Sequence, residues 1–313
     1  MNPPRTITLT GASGWIGAAL AAALADAGDS VRTLGRRAAP PDGWQWDALS
    51  DPPPAAALDG ANAVVHLSGE PIAQRWTAAA WQRIVASRVD GTRRLVDTLV
   101  ALERKPAVLV SASAIGIYGD RGNDVLTENS PPGGGQVARL CADWEREALR
   151  AEEAGIRVVL LRTGLALGPD GGALARMLSA FRLGLGGPLA GGRHWMSWIH
   201  LDDLVRLILF ALEHEAISGP LNGTAPAPVT NREFSRMLGA ALGRPAILPV
   251  PRRALHLLFG EMAAILTASQ RVQPEAASRH GFKFRYPSLA PALVAALGQS
   301  PGDKGNKGAA VAG

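Results

Sequence analysis

The stretch Thr8-Leu9-Thr10-Gly11-Ala12-Ser13-Gly14-Trp15-Ile16-Gly17 constrains this chain more than any other. An extended run over residues 6–10 leads into glycines spaced Gly-x-x-Gly-x-x-Gly, and residues 18–24 are then all Ala and Leu, which strongly favour helix. The order strand, tight turn, helix predicts a place for a dinucleotide pyrophosphate. Gly11, Gly14 and Gly17 let backbone approach phosphate oxygens, and Ser13, Trp15 and Ile16 lie where a helix N-terminus offers unpaired N–H groups and a positive dipole end.

The next segment, Ser30-Val31-Arg32-Thr33-Leu34, completes a β-α-β unit. An NAD-type site would carry Asp or Glu at the end of this strand, for the adenosine ribose hydroxyls. Here stand Gly35-Arg36-Arg37, and a guanidinium suits a 2′-phosphate, so Arg36 and Arg37 predict NADP(H). Gln45-Trp46-Asp47 reads as a short third strand whose Asp47 either holds the adenine amino group or caps a helix. The fourth strand, 63–67, ends in Ser68-Gly69, small enough for a nucleotide to lie against backbone at a strand's carboxyl end. His66 reads as a packed strand residue.

A helix is expected over 77–102, a fifth strand over 107–111, a helix over 137–154 and a sixth strand over 157–162. Six strands alternating with helices predict an α/β, doubly wound parallel-sheet Rossmann fold, with residues 1–167 as the nucleotide-binding domain. Residues 168–297 are expected to form a smaller C-terminal substrate lobe that returns partly to the sheet. Its elements are helices over 202–212, up to 242 and over 252–268, and a strand-like alternation over 281–286. Asp202 reads as a helix N-cap, and Thr230-Asn231-Arg232-Glu233 has capping-box spacing. The Gly- and Ala-rich segment 298–313 reads as a disordered tail.

Composition narrows the function classes. The net charge of +5 comes from arginine, since the lysines are only Lys105, Lys283, Lys304 and Lys307, and no arginine cluster interleaves with aromatics, which argues against nucleic acid. Cys141 is the single cysteine, so no internal disulfide or cysteine-based zinc site is expected, and no metal site is assigned. No apolar run approaches the ~20 residues of a membrane span, and the expected location is the cytoplasm. A small molecule is the expected partner, and no residue pattern specifies an oligomeric state.

Through Thr10-Gly11-x-x-Gly14-x-x-Gly17, Ser113, Tyr118-Gly119 and Leu161-Arg162-Thr163-Gly164, the chain resembles the extended short-chain dehydrogenase/reductase superfamily. It is similar in particular to an atypical, epimerase-like or cell-division-inhibitor-like branch. The shared stretches include Gly69-Glu70-Pro71-Ile72 with Arg75-Trp76, Ser87-Arg88, Trp144-Glu145, Phe181-Arg182-Leu183-Gly184-Leu185-Gly186-Gly187-Pro188 and Trp198-Ile199-His200-Leu201-Asp202-Asp203. The resemblance covers residues 7–297. It implies that Arg36, Leu67, Ser68 and Arg88 touch NADP, and Ser111 and Arg162 are assigned to the cofactor with them.

One part of the superfamily's machinery is absent. Its usual proton donor is a Tyr whose pKa is lowered by a Lys one helical turn later. The residues four after Tyr118 and Tyr286 are Gly122 and Ala290, and the usual Tyr and Lys positions hold Val137 and Cys141. The remaining candidates each carry two readings. Ser113 hydrogen-bonds a carbonyl at the nicotinamide or caps a strand end; Tyr118 reaches the cleft or packs; His200 supplies a proton or anchors the Trp198 loop; Cys141 is a redox-sensitive thiol or a buried helix residue. Glu128 reads as a solvated loop acid. The expectation is an NADP(H)-binding oxidoreductase for a small carbonyl or sugar-like substrate, with a non-catalytic NADP(H) sensor or scaffold as the alternative.

Overall fold

Seven strands carry the fold: β1 (Thr6–Thr10), β2 (Ser30–Gly35), β3 (Gly43–Gln45), β4 (Ala63–His66), β5 (Val108–Ala114), β6 (Arg157–Thr163) and β7 (Gly219–Gly223). They form one sheet in the order β7-β6-β5-β4-β1-β2-β3, with every pairing parallel. The computed structural model describes residues 4–37, 43–169 and 171–298. The helices flanking the sheet and its lobe are α1 (Trp15–Asp26), α2 (Ala55–Leu58), α3 (Ala78–Ala101), α4 (Gln136–Leu149), α5 (Gly172–Arg182), α6 (Leu201–Glu213) and α7 (Asn231–Leu242).

Alternation along the strands explains the layers. Ile7, Leu9, Val65, Val110 and Val159 enter one core with Leu20 and Leu24 of α1 and Leu204, Leu207 and Ile208 of α6. Their neighbours Val64, Leu109, Val158 and Leu160 enter the other, with Leu95, Val96 and Leu99 of α3 and Ala148 of α4. A sheet with no wet face requires helices on both sides, which is the doubly wound Rossmann arrangement. A third core, around Trp198, holds Leu174 and Phe181 of α5, Phe234 and Leu238 of α7, and Leu289 and Leu293 of the helix Leu289–Ala296.

Several elements depart from the sequence reading. The sheet has a seventh strand, β7, whose Gly219-Pro220-Leu221-Asn222-Gly223 carries no strand signal; Pro220 is tolerated because β7 is an edge strand paired only with β6. β3 ends at Gln45, leaving Trp46 to bury its ring while its indole N–H donates to the Asp51 carbonyl at 2.7 Å. The expected 252–268 helix is broken into α8 (Arg252–Phe259) and α9 (Ala263–Thr267) by a turn in which Gly260 adopts φ +60°.

Residues 281–286 form no strand. The backbone N–H groups of Arg285 and Tyr286 each donate at 2.8 Å to the carboxylate of Asp203, a wholly buried residue in the first turn of α6, and so are unavailable to a ladder. Asp202 is not the N-cap of that helix; His200 is, its Nδ1 accepting from Asp202 N–H at 3.1 Å. The capping box on α7 is present, with Glu233 Oε2 accepting from Thr230 N–H at 2.8 Å. Of the expected tail, residues 299–313 lie outside the described residues. Among the described residues no helix is long and apolar enough to cross a membrane.

Candidate cofactor and active site

The carboxyl ends of β1, β2 and β4 converge on the glycine turn. Gly11 adopts φ +72°, and a Cβ there would lie 2.9 Å from the Leu67 carbonyl carbon, so only glycine lets the ends of β1 and β4 close on each other. At Gly17 a Cβ would fall 2.2 Å from the Gly11 carbonyl oxygen, which is why the first turn of α1 can sit directly on the loop. Gly14 is the exposed N-cap of α1, in extended conformation, with no side-chain cap and no acid in the first turn. That leaves the N–H groups of Trp15 and Ile16, which have no intrahelical acceptor, for an anion. Ser13 is exposed beside them. These features fit a pyrophosphate.

A buried hydroxyl and imidazole hold the cradle's other wall. Thr10 Oγ1 accepts from the N–H groups of both Leu67 and Ser68 at 3.1 Å and lies 2.8 Å from His66 Nδ1. With its lone pairs engaged, the Thr10 hydroxyl donates to Nδ1, so His66 carries its proton on Nε2, facing Thr92 Oγ1 at 3.1 Å. Thr92 Oγ1 also accepts from Trp144 Nε1 at 2.9 Å. His66 is a packed strand residue, as its sequence suggests, and its packing positions Leu67-Ser68-Gly69; no sequence signal marks Thr92 as its partner.

Burial and the nearby Arg88 charge pull the His66 pKa down to about 4. A histidine depressed in the folded state binds its proton first in the unfolded chain, so its stabilising contribution is complete above an unfolded pKa of about 6.5 and is lost as pH falls towards 4. Burial lowers His194 and His200 in the same direction. We expect about 2 kcal/mol of stability to be lost to His66 between pH 7 and pH 5. Urea unfolding across that range checks it: His66→Gln should flatten the slope, and parallel slopes for both proteins would refute the assignment.

Arg36 and Arg37 are exposed at the carboxyl end of β2, which Gly11 N–H joins to the glycine turn through the Leu34 carbonyl at 3.3 Å. Arg88 Nη1 donates to the Glu70 carbonyl at 2.9 Å, and the guanidinium lies 5.2 Å from the Trp144 ring centroid; it crosses Gly69 so closely that a Cβ there would sit 3.3 Å from Arg88 Cζ. The Trp15 indole donates to the Pro169 carbonyl at 3.0 Å and packs on Gly168, Gly171 and Gly172. Asp47 caps no helix: its Oδ1 accepts from Leu49 N–H at 3.0 Å within a turn, and the next helix begins at Ala55. Ser111 corrects the sequence assignment: it is wholly buried within the sheet, with its own chain's Ala112 carbonyl 3.4 Å away, and presents nothing to a ligand.

Behind the end of β5 lies a buried polar network. Ser113 Oγ donates to Glu145 Oε1 at 2.6 Å; Arg162 Nε and Nη2 donate to the two oxygens of Glu145 at 2.9 and 2.8 Å; and Arg162 Nη1 donates to Tyr118 Oη at 3.0 Å. Tyr118 Oη donates to Asn222 Oδ1 at 2.7 Å. Burial would lower the Arg162 pKa, but its hydrogen bonds and the charge of Glu145 more than offset this, so it stays protonated. Arg162 and Tyr118 thus belong to the interior and not to the cofactor or substrate: Tyr118 is wholly buried, with its pKa raised by burial. Ser113 keeps its place at the end of β5, but with its proton committed to Glu145 it turns lone pairs to any partner in the cleft. It can accept from an N–H or O–H; it does not polarise a carbonyl.

The other candidate proton carriers are placed elsewhere. Burial lowers the His200 pKa, so the imidazole is neutral near pH 7 and acts as the helix cap. Val137 and Cys141, at the positions usual for Tyr and Lys, pack with Ile115, Ile117 and Val272, and burial pushes the Cys141 thiol up to about 12, the buried-helix alternative. Glu128 is not a solvated acid: Oε1 accepts from Asn222 N–H at 3.0 Å and Oε2 is buried without a partner. A cavity of about 570 Å³ opens at the amino ends of the strands beside Arg5, Asn62, Arg157 and Glu213. Arg157 there is spent on the Ala211 and Ile217 carbonyls at 3.0 and 2.6 Å, at the end of the sheet opposite the glycine turn.

A parallel Rossmann sheet with this turn, and a serine at the end of β5, defines a nucleotide-binding protein of the short-chain dehydrogenase/reductase type. Residues 7–222 match the family model described as NAD dependent epimerase/dehydratase family, and the chain belongs to that family. Residues 250–296 match a second family model, a domain of unknown function designated DUF1731. The chain is 41% identical over 303 residues to the chloroplastic SDR39U1 homolog, an epimerase family protein of Arabidopsis thaliana, covering 93% of this chain and 86% of the plant protein. It is 42% identical over 290 residues to the epimerase family protein Mb2239 of Mycobacterium bovis, covering 92% and 96%. Its structure resembles the crystal structure of human SDR39U1 (isoform 2) with NADPH at a TM-score of 0.87 and 32% identity, over 94% of this chain and all of that one. These relatives place it in the atypical extended branch of the superfamily.

Proposed function

We propose that the protein is an NADP(H)-dependent oxidoreductase acting on a small carbonyl or sugar-like substrate in the cytoplasm. The observation that carries the cofactor is the exposed Arg36 at the end of β2, where an NAD-type site would carry an acid, beside an uncapped helix N-terminus. The NADPH bound to the human relative supports the same reading. The backbone N–H groups of Trp15 and Ile16 would hold the pyrophosphate, Arg36 and Arg37 the 2′-phosphate, and Leu67, Ser68 and Gly69 the adenosine side of the cleft. The bound cofactor would supply or take up the hydride. Ser113 would accept a hydrogen bond from a carboxamide N–H or a substrate hydroxyl, and so orient it. With Val137 and Cys141 in place of a positioned acid, protons would exchange with water, and turnover would be slow.

The apolar packing of Val137 and Cys141 also favours a second reading, a non-catalytic NADP(H) sensor or scaffold. NADPH oxidation over a panel of small carbonyls separates the two. Slow turnover that Ser113→Ala reduces by about tenfold, the worth of one hydrogen bond, is the expected result. A silent panel with tight NADPH binding would select the sensor.

A further inference from the structure

We propose that the last turn of α8 docks the protein on an anionic lipid surface. α8 (Arg252–Phe259) opens the segment that matches the domain of unknown function, and it takes no part in the cofactor cradle. Its single buried residue is Leu255, 2% exposed, which seats the helix on the body. Leu258 and Phe259 come three and four residues later, on the same helical face, where burial beside Leu255 would be the rule. They are instead 63% and 38% exposed, and Leu257, on the opposite face, is 79% exposed. The body ends beneath Leu255, and the final turn overhangs it with apolar side chains all round.

The shape of this turn selects its partner. Three consecutive residues span about 200° of a helix's circumference, so Leu257-Leu258-Phe259 form a convex knob. A groove on a protein takes a one-sided apolar stripe at three- and four-residue spacing, which this is not. A lipid interface needs no complementary shape, and it takes up apolar side chains to a depth of roughly 5–10 Å at the headgroup boundary. α9 (Ala263–Thr267), packed against α8, adds an exposed Ile265.

The charge beside the knob favours an anionic surface. Arg244, Arg252 and Arg253 are exposed, and residues 244–260 contain no acid. Arg252 and Arg253 stand roughly 8 Å along the helix axis from the knob, which puts guanidinium groups at headgroup level when the knob reaches the acyl chains. Glu261, exposed just after the Gly260 turn, sets one negative charge against them. A second copy of the chain suits the knob less well, since a two-fold contact there would gather the arginines of both copies around one apolar centre.

Cosedimentation of the NADPH-loaded protein with vesicles of phosphatidylcholine alone, or with about 30% phosphatidylglycerol, tests the surface. Binding to the anionic vesicles is expected, with little to the neutral ones, and it should weaken as salt rises. Leu257→Ser with Leu258→Ser should weaken it about tenfold or more, and Arg253→Gln about fivefold, while NADPH affinity stays at the wild-type level and reports an intact fold. Cys141 is buried, so Leu258→Cys takes an environment-sensitive fluorophore at the knob alone, and its emission should rise when anionic vesicles are added. No binding to anionic vesicles, binding that the paired leucine substitutions leave unchanged, or a label that stays in water would overturn the proposal. So would a dimer in sedimentation equilibrium that the same substitutions dissociate, because a second copy would then cover the knob.

Discussion

Glu145→Gln is expected to lower the unfolding free energy by about 3–5 kcal/mol, the range for removing one member of a buried ion pair. Glu145 and Arg162 are 6% and 5% exposed and meet through two hydrogen bonds at 2.8 and 2.9 Å. The substitution keeps shape and volume, yet it leaves the Arg162 guanidinium charged in the interior, because a guanidinium is too basic to find relief by losing its proton. Ser113 loses an ionic acceptor at the same time. A double-mutant cycle separates the pair from its surroundings. Arg162→Met with Glu145→Gln should be less damaging than the sum of the single changes by at least ~2 kcal/mol, since the unpaired charge is gone. Denaturant unfolding at pH 7 measures each corner. A single-mutant effect below ~1 kcal/mol would mean that water reaches the pair and that the network does not hold the end of β5.

Local signals were legible in the sequence where the physics is local. The glycine turn and the capping box at Thr230 and Glu233 each depend on residues within a few positions of one another, and the helix starting at Thr77 follows from its own apolar periodicity. What was illegible depends on partners distant in the chain. The polarity of Ser113 is set by Glu145, 32 residues away, which α4 carries to the back of β5. The strand-like alternation at 281–286 was real, but its N–H groups go to Asp203, 82 and 83 residues earlier. β7 is a strand because β6 offers an edge; its own Gly, Pro and Asn argue against it. Glu128 lies in a polar loop by composition and beneath Asn222 by folding. Ser111 and Arg162 lie on the sheet face opposite Val110 and Leu161, as Ser113 does; what removes Ser111 from the cleft is its full burial two residues deeper in β5, and what removes Arg162 is its pairing with Glu145, neither of which a period-two reading shows.

Arg36→Ala is expected to weaken NADPH binding by roughly tenfold to a hundredfold while leaving NADH affinity nearly unchanged, the worth of a charge-assisted hydrogen bond to a phosphate. Position sets this outcome. Arg36 closes β2, the strand beside the glycine turn, and is exposed there, so it can meet a 2′-phosphate without first paying for burial. Because the contact faces water, it should weaken with salt, and the NADPH-to-NADH affinity ratio of the wild-type protein should fall as ionic strength rises. Arg36→Lys should recover only part of the ratio, since an ammonium is a point charge without the paired donors of a guanidinium. Arg36→Asp goes further. It places at this strand end the acid that an NAD-type site uses for the ribose hydroxyls, and sets a like charge against the 2′-phosphate, so the preference should invert. Calorimetric titration of the wild-type protein and the three variants with both cofactors gives the four ratios directly. A ratio left unchanged by Arg36→Ala would move the 2′-phosphate contact to Arg37 or away from this strand altogether.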